Sequence, residues 1–294
     1  MVANERRKLI LAFLAPATAL YLLLVVYPVL RAFQYSLFFW RGISANMRFV
    51  GLENFARIIT RDRDFWGCLG NNAQYMLITC LVILPLSLLI AVLLAKKGRG
   101  SRVYPVIFFG PNVLSLATVA ILWMFIYNPI LGLLNGFLRL IGLGSWAYTW
   151  LVDPIKALPA ISVAEIWRLT GFYMLLFLAG IKNIPADLYE SARIDGASEI
   201  KQFFHITLPM LTEMIQIATV FLVINGLNVF VLPQIMTDGG PGRHTQTAAL
   251  YMYEQAFKNS NFGYASAMGL IMFAIVMLAS VISLRLTRRD SIEY

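Results

Sequence analysis

Charge, histidine and cysteine are all scarce in this chain. Only 13% of its 294 residues are charged, against roughly one quarter in soluble domains, and 59% are apolar. The two histidines, His205 and His244, have no cluster of Cys, Asp or Glu around them that would suggest a metal centre or a catalytic triad. No G-x4-G-K-[ST] phosphate-binding loop is present. We therefore expect no metal, no cofactor bound by this chain and no enzymatic activity of its own.

Long uncharged runs dominate what is present. Several exceed the ~20 residues needed to cross the hydrocarbon core of a bilayer, and they lack the alternation of a transmembrane barrel. The sequence predicts an all-α integral membrane protein, with one transmembrane domain over residues 1–294. The six predicted spans cover about 9–30, 73–95, 105–127, 158–181, 211–236 and 264–284.

Basic residues are concentrated at the ends of these runs. The net charge of +9 could suggest a nucleic-acid partner, but short clusters at span ends orient membrane helices, so no nucleic acid is expected. The clusters at 6–8, 96–102, 182–201 and 285–289 would lie on one side of the membrane. They are denser than the basic residues opposite, although the totals differ little. This predicts six spans with both termini in the cytoplasm.

The two cysteines are expected to be free thiols. Cys68 precedes the second predicted span, and Cys80 lies well inside it. At ~1.5 Å of rise per helical residue they are too far apart for the ~5.5 Å Cα separation of a disulfide.

Three segments, 32–70, 128–156 and 237–262, are predicted outside the membrane. In the first, apolar residues recur at helical spacing beside arginines, which is typical of an amphipathic interfacial helix: Leu52, Phe55, Ala56 and Ile59. In the second, 131–138 is interpreted as a helix that lies at the interface or packs on the bundle. The third contains a glycine-rich turn at 239–242, which either contacts an external partner or is a bare connection.

A charged stretch, YESARIDGASEIKQFFHITLP at 189–209, separates the fourth and fifth predicted spans. It reads as two short helices. Gly196 can take the positive φ that ends the first, and Ser198 is a suitable N-cap for the second. Ala192 and Ala197 would let another protein approach closely. Composition alone favours an ordinary amphipathic cytoplasmic loop.

This stretch also carries a long motif. The pattern E-[small]-A-x3-G-x9-I-x-L-P, from Glu190 to Pro209, resembles the signature loop of binding-protein-dependent ABC importer permeases, with Ser191 where that family often has alanine. FVGLENF at 49–55 and TDGGP at 237–241 are similar to segments of its carbohydrate importers, the latter to the first permease of maltose- and glycerol-phosphate-type systems.

The resemblance implies a type I ABC importer permease bundle in the bacterial inner membrane, with a cytoplasmic coupling helix in a 185–209 loop. The chain would be one of two different permease subunits, each forming half of the path, beside two ATPase subunits that hold ATP and Mg and an external solute-binding protein. The residues it assigns to ATPase coupling are Glu190, Ser191, Ala192, Asp195, Gly196 and Ala197. Glu190 would pair with a basic group of the ATPase; Asp195 either does so or caps and pairs locally.

Polar residues inside spans are candidates for the substrate path, because they are costly in a bilayer. Asn225 and Asn228 are i, i+3 neighbours whose amides suit sugar hydroxyls; the alternative is an interhelical hydrogen bond. Arg168 either pairs with Glu165 or meets an anionic substrate. Tyr173 either stacks on a sugar ring or packs between helices.

A different class of transporter is the alternative. A secondary transporter or channel would need no ATPase, but no inverted repeat and no chain of membrane acids is visible. Monosaccharides, oligosaccharides, glycerol phosphate and sulfonated sugars are all compatible with the sequence as substrates.

Overall fold

The computed structural model of the protein describes residues 13–42, 46–95 and 103–287. This part is mostly helical, with one short two-stranded ribbon and several connecting loops. The helices are α1 (Phe13–Ser36), α2 (Glu53–Thr60), α3 (Arg63–Ala95), α4 (Tyr104–Val113), α5 (Leu116–Ile126), α6 (Leu133–Leu140), α7 (Ala157–Asn183), α8 (Ala186–Ile194), α9 (Glu199–Met210), α10 (Thr212–Leu227), α11 (Val231–Thr237), α12 (Ala248–Tyr253) and α13 (Phe262–Thr287). Strands β1 (Phe38–Phe39) and β2 (Arg48–Phe49) are antiparallel, with Phe38 opposite Phe49.

Four of these helices, α1, α3, α7 and α13, are individually long and apolar enough to cross a bilayer. Two further pairs qualify only when taken together: α4 with α5, bent by 101°, and α9 with α10, bent by 66°. By length and composition, the described residues therefore contain four candidate spans, or six if each bent pair counts as one. The all-α membrane class is confirmed, whereas the count of six and the orientation stay predictions.

The helices that correspond to the first two predicted spans each extend beyond the prediction at one end. Helix α1 runs on to Ser36, while residues 9–12 of the prediction lie outside the described part. Helix α3 begins at Arg63, about three turns before the predicted start, so the placement of Cys68 ahead of the helix was wrong. Cys68 and Cys80 still lie about 18 Å apart along one helix, and neither forms a disulfide.

The third predicted span is broken in the middle. Pro111 cannot donate a backbone hydrogen bond, and α4 ends two residues after it. Ser115 then adopts an extended conformation, and its hydroxyl accepts from the Thr118 N–H at 3.2 Å, which caps α5. Both halves are apolar, so hydropathy alone could not reveal the 101° bend.

The fifth predicted span is also interrupted. Pro209 lies within α9, and α10 starts only after the bend at Leu211. Helix α10 then ends at Leu227, and three residues, 228–230, separate it from α11. The predicted range 211–236 therefore contains a bend at its start and a break near its far end.

Contacts divide the described residues into two units, one within 1–63 and 251–274 and one within 64–250 and 275–294. In the first, the Asn54 amide donates to the carbonyls of Ser36 and Phe38 at 2.8 and 3.1 Å, which fixes α2 beside the ribbon. Ile58 of α2 is buried, while Leu52 and Ile59 are exposed. The predicted amphipathic helix is thus confirmed as a helix with an outward apolar face.

The second unit holds two apolar clusters. One joins α3, α5, α7 and α11 around Tyr75 and Ile161; the other joins α3, α7 and α10 around Ile83 and Phe177. Helix α7 contributes to both, and most of its length is buried. Because α7 leads into α8, this buried helix is the rigid base from which the 185–209 loop projects.

The short helix predicted at 131–138 forms two residues later, as α6. Asn135 on one face is buried and donates to the Tyr148 carbonyl at 2.9 Å. Leu133 and Phe137 are strongly exposed. The helix therefore packs on its own unit with one face and presents apolar side chains with the other.

Candidate functional sites

The 185–209 loop is a helix–turn–helix. Helix α8 ends in a Schellman motif: the Ala197 N–H donates to the Ala192 carbonyl at 2.8 Å, and the Gly196 N–H to the Arg193 carbonyl at 3.1 Å. Gly196 has a φ of +75° and open space around it. The predicted role of Gly196 in ending the first helix is confirmed, and its cause is the backbone conformation rather than packing.

The second helix begins as predicted at Ser198. The Ser198 hydroxyl accepts from the Lys201 N–H at 3.4 Å, a long version of the N-cap bond. One turn on, the buried Gln202 side chain donates back to the Ala197 carbonyl at 2.8 Å. The turn between the two helices is thus tied to both of them.

A second tie joins the ends of the loop. The Tyr189 hydroxyl lies 2.9 Å from Thr207 Oγ1, and Thr207 is buried. With the turn held at one end and this bond at the other, α8 and α9 are braced against each other. Neither Tyr189 nor Thr207 was among the residues singled out from the sequence.

The loop presents most of its predicted coupling residues to the outside. Glu190, Ser191, Asp195 and Gly196 are exposed, and Ala192 and Ala197 are half-buried. Within the described part of the chain, neither Glu190 nor Asp195 forms an ion pair. Ile194, which the sequence did not single out, is 87% exposed between them. The outer surface therefore combines two unpaired carboxylates with an apolar side chain.

Asn225 and Asn228 both lie at the end of α10, where it breaks. Both side chains are exposed, although the helix around them is apolar. The Asn228 amide donates to the Ile224 carbonyl at 2.9 Å, which leaves its oxygen without a donor among the described residues. Asn228 is the cap residue rather than a residue within the helix, and the common face predicted for the two asparagines stays a prediction.

Arg168 forms the predicted ion pair. Its Nε and Nη2 donate to the two Glu165 carboxylate oxygens at 2.9 and 2.7 Å, a bidentate arrangement in which both side chains are mostly buried. Nη1 points to Asn112 Oδ1 at 3.4 Å. The ion-pair alternative is therefore the one that this conformation shows, and the meeting of Arg168 with an anionic substrate stays a prediction.

Tyr173 lies below Asn225. Its ring is buried in the cluster around Phe177, and its hydroxyl lies near the Asn225 side chain. The Tyr173 ring therefore packs between helices, which was one of the two predicted alternatives. A role for Tyr173 in the substrate path stays a prediction.

Asparagines supply the polar contacts that the sequence did not single out. Asn112 meets Arg168, and Asn71 and Asn72 of α3 bind backbone groups far along the chain. The sequence did contain a signal for these asparagines, because an amide in or near an apolar span is energetically costly unless it is hydrogen-bonded. Which partner each amide finds, however, depends on the packing of distant helices.

The apolar spans define a membrane protein, and the exposed helix–turn–helix gives it a surface on which a partner could dock. Residues 75–290 match the family model of binding-protein-dependent transport system inner membrane components. The chain belongs to this family, and the family resemblance noted from the sequence is confirmed.

Similar proteins have been described in several bacteria. The chain is 35% identical to the probable ABC transporter permease protein YurN of Bacillus subtilis, covering 97% of each chain. It is 36% identical to the diacetylchitobiose uptake system permease protein NgcF of Streptomyces coelicolor, covering 93% of this chain and 80% of that one. Its fold matches a chain of the bacterial alginate ABC transporter in complex with an alginate pentasaccharide-bound periplasmic protein, with a TM-score of 0.85, 22% identity and coverage of 98% and 96%.

Proposed function

We propose that this chain is one of two different permease subunits of an ATP-driven, solute-binding-protein-dependent importer for a sugar or sugar derivative. Family membership supports the binding-protein-dependent class. Two of the similar proteins bear names or titles of carbohydrate uptake, diacetylchitobiose in one and alginate in the other. Six spans with both termini in the cytoplasm are part of the proposal. In this assembly ATP and Mg are held by two ATPase subunits, and this chain binds no cofactor.

The observation that carries the proposal is the braced and exposed 185–209 loop. A flexible connection between two spans would not transmit the movement of a partner protein. Two helices joined by the Tyr189–Thr207 and Gln202–Ala197 hydrogen bonds would transmit it. Helix α8 follows α7 with only two residues between them, and α7 is largely buried. A displacement of the loop by a closing ATPase dimer would therefore tilt α7 within the bundle.

The docking surface would be the outer side of α8 and the turn after it. Ile194 supplies apolar contact area at its centre, and Glu190 and Asp195 flank it with carboxylates that lack ion-pair partners in the described part of the chain. An exposed apolar side chain flanked by charges fits a protein partner with a groove and basic groups at its rim. Either carboxylate could make the main contact with the ATPase.

The substrate would pass the break at the end of α10. Asn225 and Asn228 expose amides there, and amides both donate to and accept from hydroxyl groups. For an anionic substrate, Arg168 is the candidate cation, and it would have to exchange Glu165 for the substrate's negative group. Tyr173 would hold Asn225 in place through its hydroxyl.

Purification and reconstitution test the proposal. Tagged protein isolated from its own membrane should bring down an ATPase and a second, different permease. In proteoliposomes with the external binding protein, uptake of that protein's ligand, identified by calorimetry, should require ATP. Isolation without an ATPase, or uptake that does not depend on ATP, would instead support a secondary transporter or channel.

Glu190 and Asp195 can then be separated. We expect Glu190→Ala to abolish ATP-driven uptake while the protein still inserts, and the effect of Asp195→Ala shows whether it shares the contact. Glu213→Ala removes an exposed carboxylate from the first turn of α10 and serves as the matched control. Equal uptake by the Glu190 and Glu213 variants would refute the coupling role.

A further inference from the structure

Two consecutive asparagines near the start of α3 bind backbone groups more than 150 positions along the chain. Asn72 is fully buried, and its amide nitrogen donates to the carbonyls of Gly226 and Leu227 at 3.2 and 2.8 Å. Its amide oxygen accepts from the Ala248 N–H at 2.8 Å. One side chain thus joins the end of α10 to the start of α12.

These hydrogen bonds satisfy backbone groups at helix ends. The last carbonyls of a helix have no partner within the helix, and at a break inside an apolar bundle water is not a ready substitute. Asn72 satisfies two such carbonyls and the N–H of Ala248 at the start of α12. A second bond supports the break, since the Thr247 hydroxyl donates to the Val229 carbonyl at 2.8 Å.

Close packing against α3 also fixes the position of the end of α10. A Cβ atom added to Gly226 would lie 2.7 Å from Met76 Cβ, so α10 rests directly on α3 one turn beyond Asn72. The lateral position of α10 is set by this contact, and its end is set by Asn72. Asn228 is the first residue after that end.

Asn71 binds the loop between α11 and α12. Its amide donates to the carbonyls of Arg243 and Gln246 at 2.8 and 2.9 Å. The Arg243 side chain also pairs with Asp64 in the first turn of α3. The loop that carries the 239–242 turn is therefore anchored to the same helix end that holds the break.

We propose that Asn72 is a positioning residue for the substrate path: it holds Asn228 in place without touching the substrate. The neighbouring Asn71 anchors the 237–247 loop to the same turn of α3. The functional meaning of the proposal rests on the substrate role of Asn228 proposed above, whereas the positioning itself can be measured without any substrate.

Cysteine labelling tests the positioning. Asn228→Cys is introduced into the full chain, and its rate of reaction with a membrane-impermeant thiol reagent is measured, after subtraction of the rate of the parent with Cys68 and Cys80. Asn72→Ala should change this rate by about fivefold or more, since losing buried hydrogen bonds shifts local equilibria by at least that factor. Asn71→Ala should leave it nearly unchanged.

The loop provides the reciprocal measurement. Asn71→Ala should raise the labelling rate of His244→Cys, an exposed position next to the Arg243 carbonyl that Asn71 binds. If Asn72→Ala does not insert or elutes as aggregate, Asn72→Gln keeps the amide but displaces it by one methylene and should still alter labelling at position 228. Unchanged labelling at position 228 in every Asn72 variant that folds overturns the proposal.

Transport separates this proposal from the one on which it rests. If Asn228 binds substrate, Asn72→Ala should raise the KM for uptake more than it lowers the maximal rate, and Asn72→Gln should recover part of the loss. If labelling changes as expected but replacing Asn228 itself leaves uptake unaltered, the positioning stands and the substrate role of Asn228 falls.

Discussion

The Tyr189 hydroxyl and Thr207 Oγ1 lie 2.9 Å apart, joining the first helix of the 185–209 loop to the last turn before the fifth predicted span. Thr207 is buried, so its hydroxyl has little access to water as a substitute partner. This bond braces a loop whose outer surface is otherwise exposed.

Tyr189→Phe should therefore loosen the loop without changing its outer surface. Losing the bond costs about 1 kcal/mol, and we expect less substrate moved per ATP hydrolysed, with normal insertion. Tyr104→Phe removes an exposed hydroxyl elsewhere and should have no effect. An unchanged ratio of transport to ATP hydrolysis in Tyr189→Phe would show that the brace is not needed.

Gly196→Ala should strain the turn of the loop. With φ at +75° and open space around the residue, the penalty is purely conformational, about 1–2 kcal/mol. ATP-driven uptake should fall severalfold. Gly136→Ala, inside α6 and also without neighbours, should be neutral or slightly stabilising. Thermal unfolding of both variants in detergent, measured beside uptake, distinguishes loss of coupling from loss of the fold.

Asn228→Ala should weaken uptake or change substrate preference, with little change in stability because the side chain is exposed. An increase in KM of about tenfold would correspond to ~1.4 kcal/mol of lost binding. An interhelical bond alone would be worth only ~0.6 kcal/mol. Asn183→Ala, at an exposed position at the end of α7, is the control. If uptake and preference are both unaltered, the end of α10 does not line the path.

Arg168→Gln should impair uptake of an anionic substrate far more than that of a neutral one. The substitution also leaves Glu165 buried without its cation, which costs about 3–5 kcal/mol, so stability must be measured too. The double variant with Glu165→Gln removes both charges and should regain stability. Continued loss of anionic uptake in the double variant assigns Arg168 to recognition; recovery for both substrates assigns it to the ion pair alone.

Local features were predictable from the sequence. Gly196 ends α8 and Ser198 starts α9 as expected, because turn and cap preferences depend on the residue and its immediate neighbours. The amphipathic pattern of α2 and the Glu165–Arg168 pair were predictable for the same reason, since helical spacing alone brings these residues together.

The interruptions of the spans were not predicted, although Pro111 and Ser115 give a local signal for one of them. The bend between α4 and α5 and the break after α10 lie inside runs that hydropathy treats as continuous. The end of α10 is held by Asn72, whose sequence separation from Leu227 is 155. No local pattern records that partnership.

By itself the sequence determined the membrane class, the family and the helix–turn–helix of the 185–209 loop, since run length, motif and capping all depend on neighbouring residues. Only the tertiary structure decided where α10 ends, that Asn72 holds this end and that Asn225 and Asn228 are exposed there. The physical reason is that a buried backbone carbonyl takes whichever donor the packing of distant helices brings to it.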